Sequence, residues 1–258
     1  MQQPSADAPR HRPRARFLAA IRTGSFLRSF AADLHFVRQT HEVICTLSLR
    51  GFKARVRDRL QAGINQSLWL LSRRHVVHGL PVGVPWTDPE RSAAATKLRA
   101  ALDLIATAQP RRLARMKRDL SRLLVTSVQV ADAQFDPQTR TCLLDQSYVC
   151  KPEISPAHLA AVIAHEATHA RIFAAGIGYS PELRPRIERL CMRQELALAL
   201  LLPDGELAAQ HARRGLDLPD ATWDTAAIVT RRIAVVRSWG WPEWLVRLIE
   251  RGARRSAA

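Results

Sequence analysis

The segment His165-Glu166-Ala167-Thr168-His169 constrains this chain more than any other feature of its sequence. Two histidines four residues apart lie one turn apart on the same face of an α-helix. Their imidazoles can therefore converge on one divalent cation, and the intervening Glu166 lies about 100° around the helix axis. The segment predicts a helix that carries a metal site with a carboxylate beside it.

The residues around this segment support the prediction of a helix. Ser155 is a suitable N-cap, Pro156 fits the first helical position, and Gly176 fits the position just past the end. Burying two imidazoles and a carboxylate without partners would be costly, so a metal site is favoured over core histidines. Apolar residues recur between these limits at helical spacing, namely Leu159, Val162, Ile163, Ile172 and Phe173.

A third protein ligand is expected from the next helix along the chain. Catalytic zinc is bound by three protein side chains and keeps one position open. The stretch from Ser180 to Pro203 predicts a second long helix that begins near its prolines and is ended by Pro203. Glu188 and Glu195 are seven residues apart, so they share a face of this apolar helix. Carboxylates in such a helix are rarely buried unpaired.

This arrangement resembles the gluzincin group of the zincin-type zinc metallopeptidases, in which a Glu on a following helix completes the HExxH ligands. Glu188 lies nineteen residues beyond His169, and the resemblance implies that Glu188 is the third ligand. Glu195 is the alternative ligand, or it is a hydrogen-bond partner of a ligand histidine. Many members continue as Glu-x-x-Ala-Asp or Glu-x-x-Ala-Asn. In this chain Cys191 stands at the small position, and Met192 replaces the polar residue.

The resemblance also implies a reaction. The expected ligands of Zn²⁺ are His165, His169 and Glu188, and the ion would activate a water that hydrolyses a peptide bond of a peptide or protein substrate. Glu166 is the expected general base. A donor to the developing oxyanion is also needed. Its candidates are Tyr179, His211 and Tyr148.

The segment before the histidine helix predicts a β-hairpin. Residues 123–130 and 141–145 are rich in strand-forming residues, and residues 132–140 between them are turn-like. The resemblance implies that this hairpin lies near the HExxH helix and aligns an extended substrate by strand addition, although a structural hairpin is equally compatible. The expected fold is α+β, mainly α, with a zincin-like catalytic region and a small antiparallel sheet.

The chain divides into three predicted segments: a disordered basic tail over residues 1–16, an N-terminal helical region over 17–109 and a zincin-like metallopeptidase domain over 110–258. Further helices are expected over 87–108, 110–122, 204–214, 220–236 and 241–252, with Gly215 ending the third of these. Residues 25–78 also have largely helical spacing, and the Gly- and Pro-rich residues 79–86 predict a loop.

The charge of the chain allows a second function. The formal net charge is +16, and residues 1–60 hold 12 Arg and Lys against 4 Asp and Glu. Basic stretches of this kind can bind nucleic acid or an anionic membrane surface. The alternative to an enzyme is therefore a non-catalytic or regulatory protein with a zincin fold, whose basic N-terminal region binds nucleic acid or a partner. The sequence predicts no oligomeric state.

The cysteines and the apolar runs favour a cytoplasmic location. Four scattered cysteines form no metal-binding pattern among themselves and suit reduced thiols. No apolar run reaches the roughly eighteen residues of a membrane span. Residues 1–16 contain no apolar core, so they do not suit a signal peptide.

Overall fold

The computed structural model describes residues 52–84, 90–126, 128, 131–238 and 240–257. The predicted tail over 1–16, the first part of the N-terminal helical region and residues 87–89 of the following helix lie outside the described residues. In the described part, the protein is α+β and mainly helical, with a small mixed sheet. The predicted α+β class is confirmed, and the expectation of a purely antiparallel sheet is wrong.

The helices and strands of the described part follow one another in chain order. They are α1 (Phe52–Leu71), β1 (Arg73–Val77), β2 (Leu80–Val84), α2 (Glu90–Ala108), α3 (Pro110–Asp119), β3 (Arg122–Thr126), β4 (Ala133–Asp136), β5 (Thr141–Asp145), α4 (Gln146–Cys150), α5 (Pro156–Ala174), α6 (Arg184–Ala199), α7 (Glu206–Leu216), a 3₁₀ turn (Asp220–Trp223), α8 (Thr225–Ser238) and α9 (Glu243–Ala257).

The strands of the described sheet lie in the order β1-β2-β3-β5-β4. β3 is parallel to both β2 and β5, whereas β1 and β4 are antiparallel to their neighbours β2 and β5. The predicted antiparallel pairing of residues 123–130 with 141–145 is therefore wrong, because Leu124 pairs with Leu143 in parallel register. Parallel strands need a crossover connection, and residues 132–140, which were predicted to form a turn, belong to the crossover between β3 and β5.

That connection contains the edge strand β4. The chain leaves β3, passes β5 and returns along the outer side of β5, so the hairpin is β4–β5, and Phe135 lies opposite Cys142. Its turn is made by residues 137–140, and Arg140 has a φ of 50°. The sequence did not predict the four-residue strand β4, because turn-forming residues lie in it or directly beside it, namely Asp132, Asp136 and Pro137.

A second hairpin, β1–β2, replaces the predicted helix end and loop over residues 73–84. Its two-residue turn is His78-Gly79, with φ values of 50° and 80°. Two positive φ values are typical of the type I′ turn that joins twisted antiparallel strands. Gly83 in β2 makes room for α1, because a β-carbon there would lie 2.8 Å from the indole ring of Trp69. Pro81 and Gly83, which suggested a loop, are therefore strand residues, and Gly79 belongs to the turn.

The main core lies between the sheet and the helices α2 and α5. The parallel strands β2 and β3 are joined by α2 and α3, which is the long crossover that a parallel pair requires. Burying one Leu or Ile side chain fully stabilises a fold by about 1.5–3 kcal/mol. Elements before and after the predicted boundary at residue 109 share this core. Its fully buried members include Leu98, Leu102, Ile105, Leu123, Leu144, Leu159 and Ile163.

The predicted histidine helix is confirmed as α5, and both of its ends are capped. The hydroxyl of Ser155 accepts a hydrogen bond from the backbone N–H of His158 at 3.1 Å. At the other end Gly176 has a φ of 77°, and Ile177 N–H donates to the carbonyl of Ile172 at 3.1 Å. This is the Schellman pattern, in which a left-handed glycine satisfies the last carbonyls of a helix.

The predicted second helix is confirmed as α6, which packs along α5 and against α7. A β-carbon on Gly215 would lie 2.7 Å from the sulfur of Met192, so glycine allows α6 and α7 to approach closely. Gly215 therefore lies inside α7 and does not end it. Its role is in packing.

The two helices predicted at the end of the chain are present as α8 and α9, but the predicted start at Asp220 is wrong, because residues 220–223 form a 3₁₀ turn and α8 begins at Thr225. Among the described helices, none is both long enough and apolar enough to cross a bilayer.

Candidate metal centre

His165 and His169 of α5 direct the same ring atom toward one point. The two Nε2 atoms are 3.3 Å apart, and the ring centroids are separated by 5.1 Å. His165 is buried and His169 is partly buried. The helical spacing of four residues therefore brings two nitrogen donors together, as the sequence predicted.

Glu188 of α6 places its carboxylate across from both rings. One oxygen, Oε2, is 3.5 Å from Nε2 of His165, and the other, Oε1, is 3.6 Å from Nε2 of His169. Glu188 is only 6% exposed. The predicted third ligand thus faces the point at which the two imidazoles converge.

These separations fit a tetrahedral zinc site. Two nitrogen ligands bound at about 2.0–2.1 Å to a tetrahedral ion lie about 3.3 Å apart. The observed distance between the two Nε2 atoms is 3.3 Å. Two neutral imidazoles and a carboxylate are also the donor set of one common class of catalytic zinc site. The described residues could accordingly hold a metal ion, whose identity the geometry does not fix.

Glu195 lies on the opposite side of the His165 ring. Its Oε2 is 3.0 Å from Nδ1 of His165, whereas the Nε2 atom faces Glu188. A carboxylate that accepts from one ring N–H fixes the tautomer and leaves the other nitrogen able to bind an ion. The structure thus gives the two acidic residues that the sequence left as alternatives two different positions on His165.

Tyr179 is the predicted oxyanion donor that the structure brings to this group. Its hydroxyl donates a hydrogen bond to Oε1 of Glu188, and its ring contacts His169 edge-on at a centroid distance of 5.5 Å. The guanidinium of Arg184 lies 5.2 Å above the Tyr179 ring. Tyr179 comes from the loop between α5 and α6, and its side chain is exposed to solvent.

Glu166 is buried beside this cluster and contacts the edge of the sheet. The backbone N–H of Phe135 in β4 donates to its carboxylate. Burial raises the pKa of Glu166 to about 7, although the positive charge of His165 opposes the shift. A carboxylate with a pKa near neutrality is suited to take up and release a proton.

The imidazoles of the pair are electrostatically unequal. Burial disfavours the charged form of His165, but hydrogen bonds to Glu188 and Glu195 outweigh it and raise the pKa to about 10. Burial and the charge of His165 lower the pKa of His169 to about 4. Burial alone would raise the pKa of Glu188, yet its hydrogen bond with His165 leaves that pKa lowered. One proton is therefore held between His165 and the two carboxylates.

Cys191 is a possible ligand that the sequence analysis did not identify as one. Its Sγ belongs to a group of donor atoms, with a nitrogen of His165 and one of His169, that all lie within 4.8 Å of one another. Cys191 is three residues after Glu188, so the two side chains share a face of α6. This three-residue spacing is the feature by which the sequence could have identified Cys191 as a candidate ligand. Each Glu188 oxygen lies within 3.6 Å of one Nε2 atom, and we favour Glu188 as the third ligand.

His211 and Tyr148 lie in a different group of side chains. His211 is an exposed residue of α7, and its ring contact is with His158 at a centroid distance of 5.6 Å. Tyr148 is buried and contacts His158 edge-on at 6.1 Å. The structure does not bring either residue into hydrogen-bonding contact with His165, His169 or Glu188 within the residues it describes.

Comparison with known proteins gives this site no relative. The chain matches no family model, no curated protein and no solved structure. The resemblance to gluzincins rests on the HExxH segment and the downstream Glu188 of the sequence.

Proposed function

We propose that this protein is a zinc-dependent peptidase that cleaves peptide bonds by hydrolysis. The observation that carries the proposal is the convergence of the two Nε2 atoms on the Glu188 carboxylate, with each Nε2 within 3.6 Å of one of its oxygens and Glu166 buried next to them. Three such donors leave a tetrahedral ion one open position, which separates a catalytic site from a structural one.

The ligand residues are held by a second set of contacts. Glu195 accepts a hydrogen bond from Nδ1 of His165 and thereby orients that ring toward the ion. The Tyr179 hydroxyl holds one oxygen of Glu188. When bound, Zn²⁺ would supply Lewis acidity, which lowers the pKa of a water in the open position and polarises the carbonyl of the substrate.

Glu166 moves the proton in this proposal. Its carboxylate accepts a proton from the attacking water as the oxygen adds to the peptide carbonyl. The protonated Glu166 then donates that proton to the nitrogen of the leaving amine, so the reaction yields one carboxylic acid and one amine. Tyr179 remains the candidate donor to the oxyanion because its hydroxyl lies at the site, and its single proton would have to leave the hydrogen bond with Glu188 to serve there.

The edge strand β4 supports a peptide as the substrate. The backbone N–H of Asp145 donates to the carbonyl of Asp132 at 2.9 Å, which makes this a hydrogen-bonded pair. By the alternation of antiparallel strands, Ala133 and Phe135 direct their backbone groups away from β5. Phe135 lies opposite Cys142 and donates to Glu166. An extended peptide added along this edge would therefore pass the general base.

The alternative, a regulatory protein that binds nucleic acid through its basic N-terminal region, depends on residues outside the described part. We also propose that the protein is cytoplasmic. Cys142 and Cys191 are free thiols, as a reducing compartment would leave them.

The proposal is tested by counting zinc and measuring hydrolysis in the native protein and in Glu166→Gln. The native protein should hold one zinc per chain and cleave members of a mixed peptide library. Glu166→Gln should keep the zinc, because Glu166 is not a ligand, and should lose about 10²–10⁴-fold in turnover, which is the usual contribution of a general base.

Glu206→Gln is the matched control, because Glu206 is an exposed carboxylate at the start of α7 that pairs with Arg213. It should keep both zinc and turnover. Unchanged turnover by Glu166→Gln would exclude the proposed mechanism. A native protein that binds zinc and cleaves no peptide would favour a non-catalytic metal site.

A further inference from the structure

We infer that Cys191 is a fourth metal ligand, which closes the proposed site by binding as a thiolate beside His165, His169 and Glu188. The inference deepens the proposed function and rests on it, because it concerns the same ion. Its basis is the group of donor atoms formed by the Cys191 sulfur and the two ring nitrogens, all within 4.8 Å of one another.

The position of the thiol on α6 supports this role. Glu188 and Cys191 are separated by three residues, so their side chains project from the same face toward the histidines of α5. Cys191 is completely buried, and its apolar neighbours are Ile172 and Ile187. The thiol is therefore enclosed between the histidine pair and a small apolar cluster, where solvent does not reach it.

The carboxylates of the site bear on the chemistry of this thiol. Burial, and the negative charges of Glu188, Glu166 and Glu195, raise the pKa of Cys191 well above its usual range. A divalent cation reverses this effect, because a coordinating thiol is deprotonated. On binding, the S–H bond is replaced by a bond from sulfur to the ion, and the proton leaves to the solvent.

Four protein donors have a consequence for activity. Two imidazoles, a carboxylate and a thiolate fill a tetrahedral shell, which is the arrangement of a structural site without an open position. Hydrolysis then requires a water to replace the thiolate at the ion while the freed sulfur takes up a proton, so the open position of the proposed function would form only in this second state. Cys191 would hold the resting enzyme in a latent form, and its removal would open the site. Sulfur also favours softer ions, such as Zn²⁺ and Co²⁺, over Mg²⁺ or Ca²⁺.

The test uses Co²⁺ alone as the probe, added to one equivalent per chain. Native protein should show the near-ultraviolet charge-transfer band of a sulfur–cobalt bond together with the visible bands of bound cobalt. Cys191→Ala should keep the visible bands, lose the charge-transfer band and bind cobalt at least about tenfold more weakly. Cys142→Ala is the matched control, since Cys142 is equally buried but lies in β5, and it should retain both features.

Each contrary result has a distinct meaning. Cobalt bound to native protein without a charge-transfer band, or a band that persists in Cys191→Ala, would overturn the inference and leave the proposed function intact. A native protein that binds no cobalt would overturn both. If Cys191→Ala does not fold, X-ray absorption by the native zinc protein decides, because a sulfur ligand lies at about 2.3 Å and nitrogen or oxygen ligands lie at about 2.0–2.2 Å.

Discussion

Two pairs of histidines lie on or against α5, and their ring geometry is similar. His165 and His169 have centroids 5.1 Å apart with an interplanar angle of 53°. His158 and His211 have centroids 5.6 Å apart with the same angle of 53°. The first pair comes from one helix, whereas the second joins α5 to α7. Ring contact therefore does not distinguish a metal centre from an ordinary contact between helices.

The surroundings of the two pairs do differ. The rings of His165 and His169 lie within 3.6 Å of the Glu188 carboxylate, and Glu195 binds the far side of His165. Both acidic residues are buried. His211 and an acidic residue near the second pair, Asp132, are instead exposed to solvent. Buried carboxylates from α6 thus make the first pair a candidate metal site.

The largest expected effect is a difference in zinc content between a variant of the first histidine pair and a variant of the second. His169→Ala should lose stoichiometric zinc, because one of the two imidazoles that converge on the ion is removed, whereas His211→Ala should keep one zinc per chain. Metal analysis after dialysis measures this, and circular dichroism checks that both variants are folded. An equal loss of zinc from the two variants would remove the distinction between the pairs.

A smaller effect is expected from the carboxylates that support the rings. Glu195→Gln keeps the shape of the side chain but removes the charge beside Nδ1 of His165, and zinc affinity should fall about 10–100-fold. Asp132→Asn, beside the second pair, should leave affinity unchanged. Competition with a chromogenic chelator measures both variants. Equal affinities for native protein and Glu195→Gln would show that Glu195 does not orient the ligand.

The smallest expected effect, for a change of one pH unit, is a pH dependence of zinc affinity, measured in Cys191→Ala so that the thiol contributes no proton. The pKa of His165 is raised to about 10, so a cation must displace the proton of this ring at lower pH. Apparent affinity should therefore rise with pH, by up to about tenfold per unit between about pH 7 and pH 9. His169, with a pKa of about 4, adds nothing in this range.

Isothermal titration at several pH values gives the slope. Glu195→Gln in the same background should have a shallower slope, because one of the two hydrogen bonds that raise the pKa of His165 is weakened. A flat profile would mean that His165 is already neutral when the ion binds.

The sequence predicted the parts of the site that one helix determines. The positions of His165, Glu166 and His169 around α5 follow from 3.6 residues per turn, and Ser155 and Gly176 mark the ends by local backbone chemistry. The sequence also placed Glu188 and Glu195 on one face of α6. These relations are fixed by the backbone over a few turns, so they do not depend on the rest of the chain.

The tertiary structure determined which residues contact these faces of α5 and α6. It placed Glu188 at the Nε2 atoms and Glu195 at Nδ1, and it brought the Cys191 sulfur within 4.8 Å of a nitrogen of each ring. It also decided that β3 and β5 are parallel and that β4 forms the edge beside Glu166. Strand partners and the contact of α5 with α6 depend on packing between residues far apart in the chain, and local spacing carries no information about that packing.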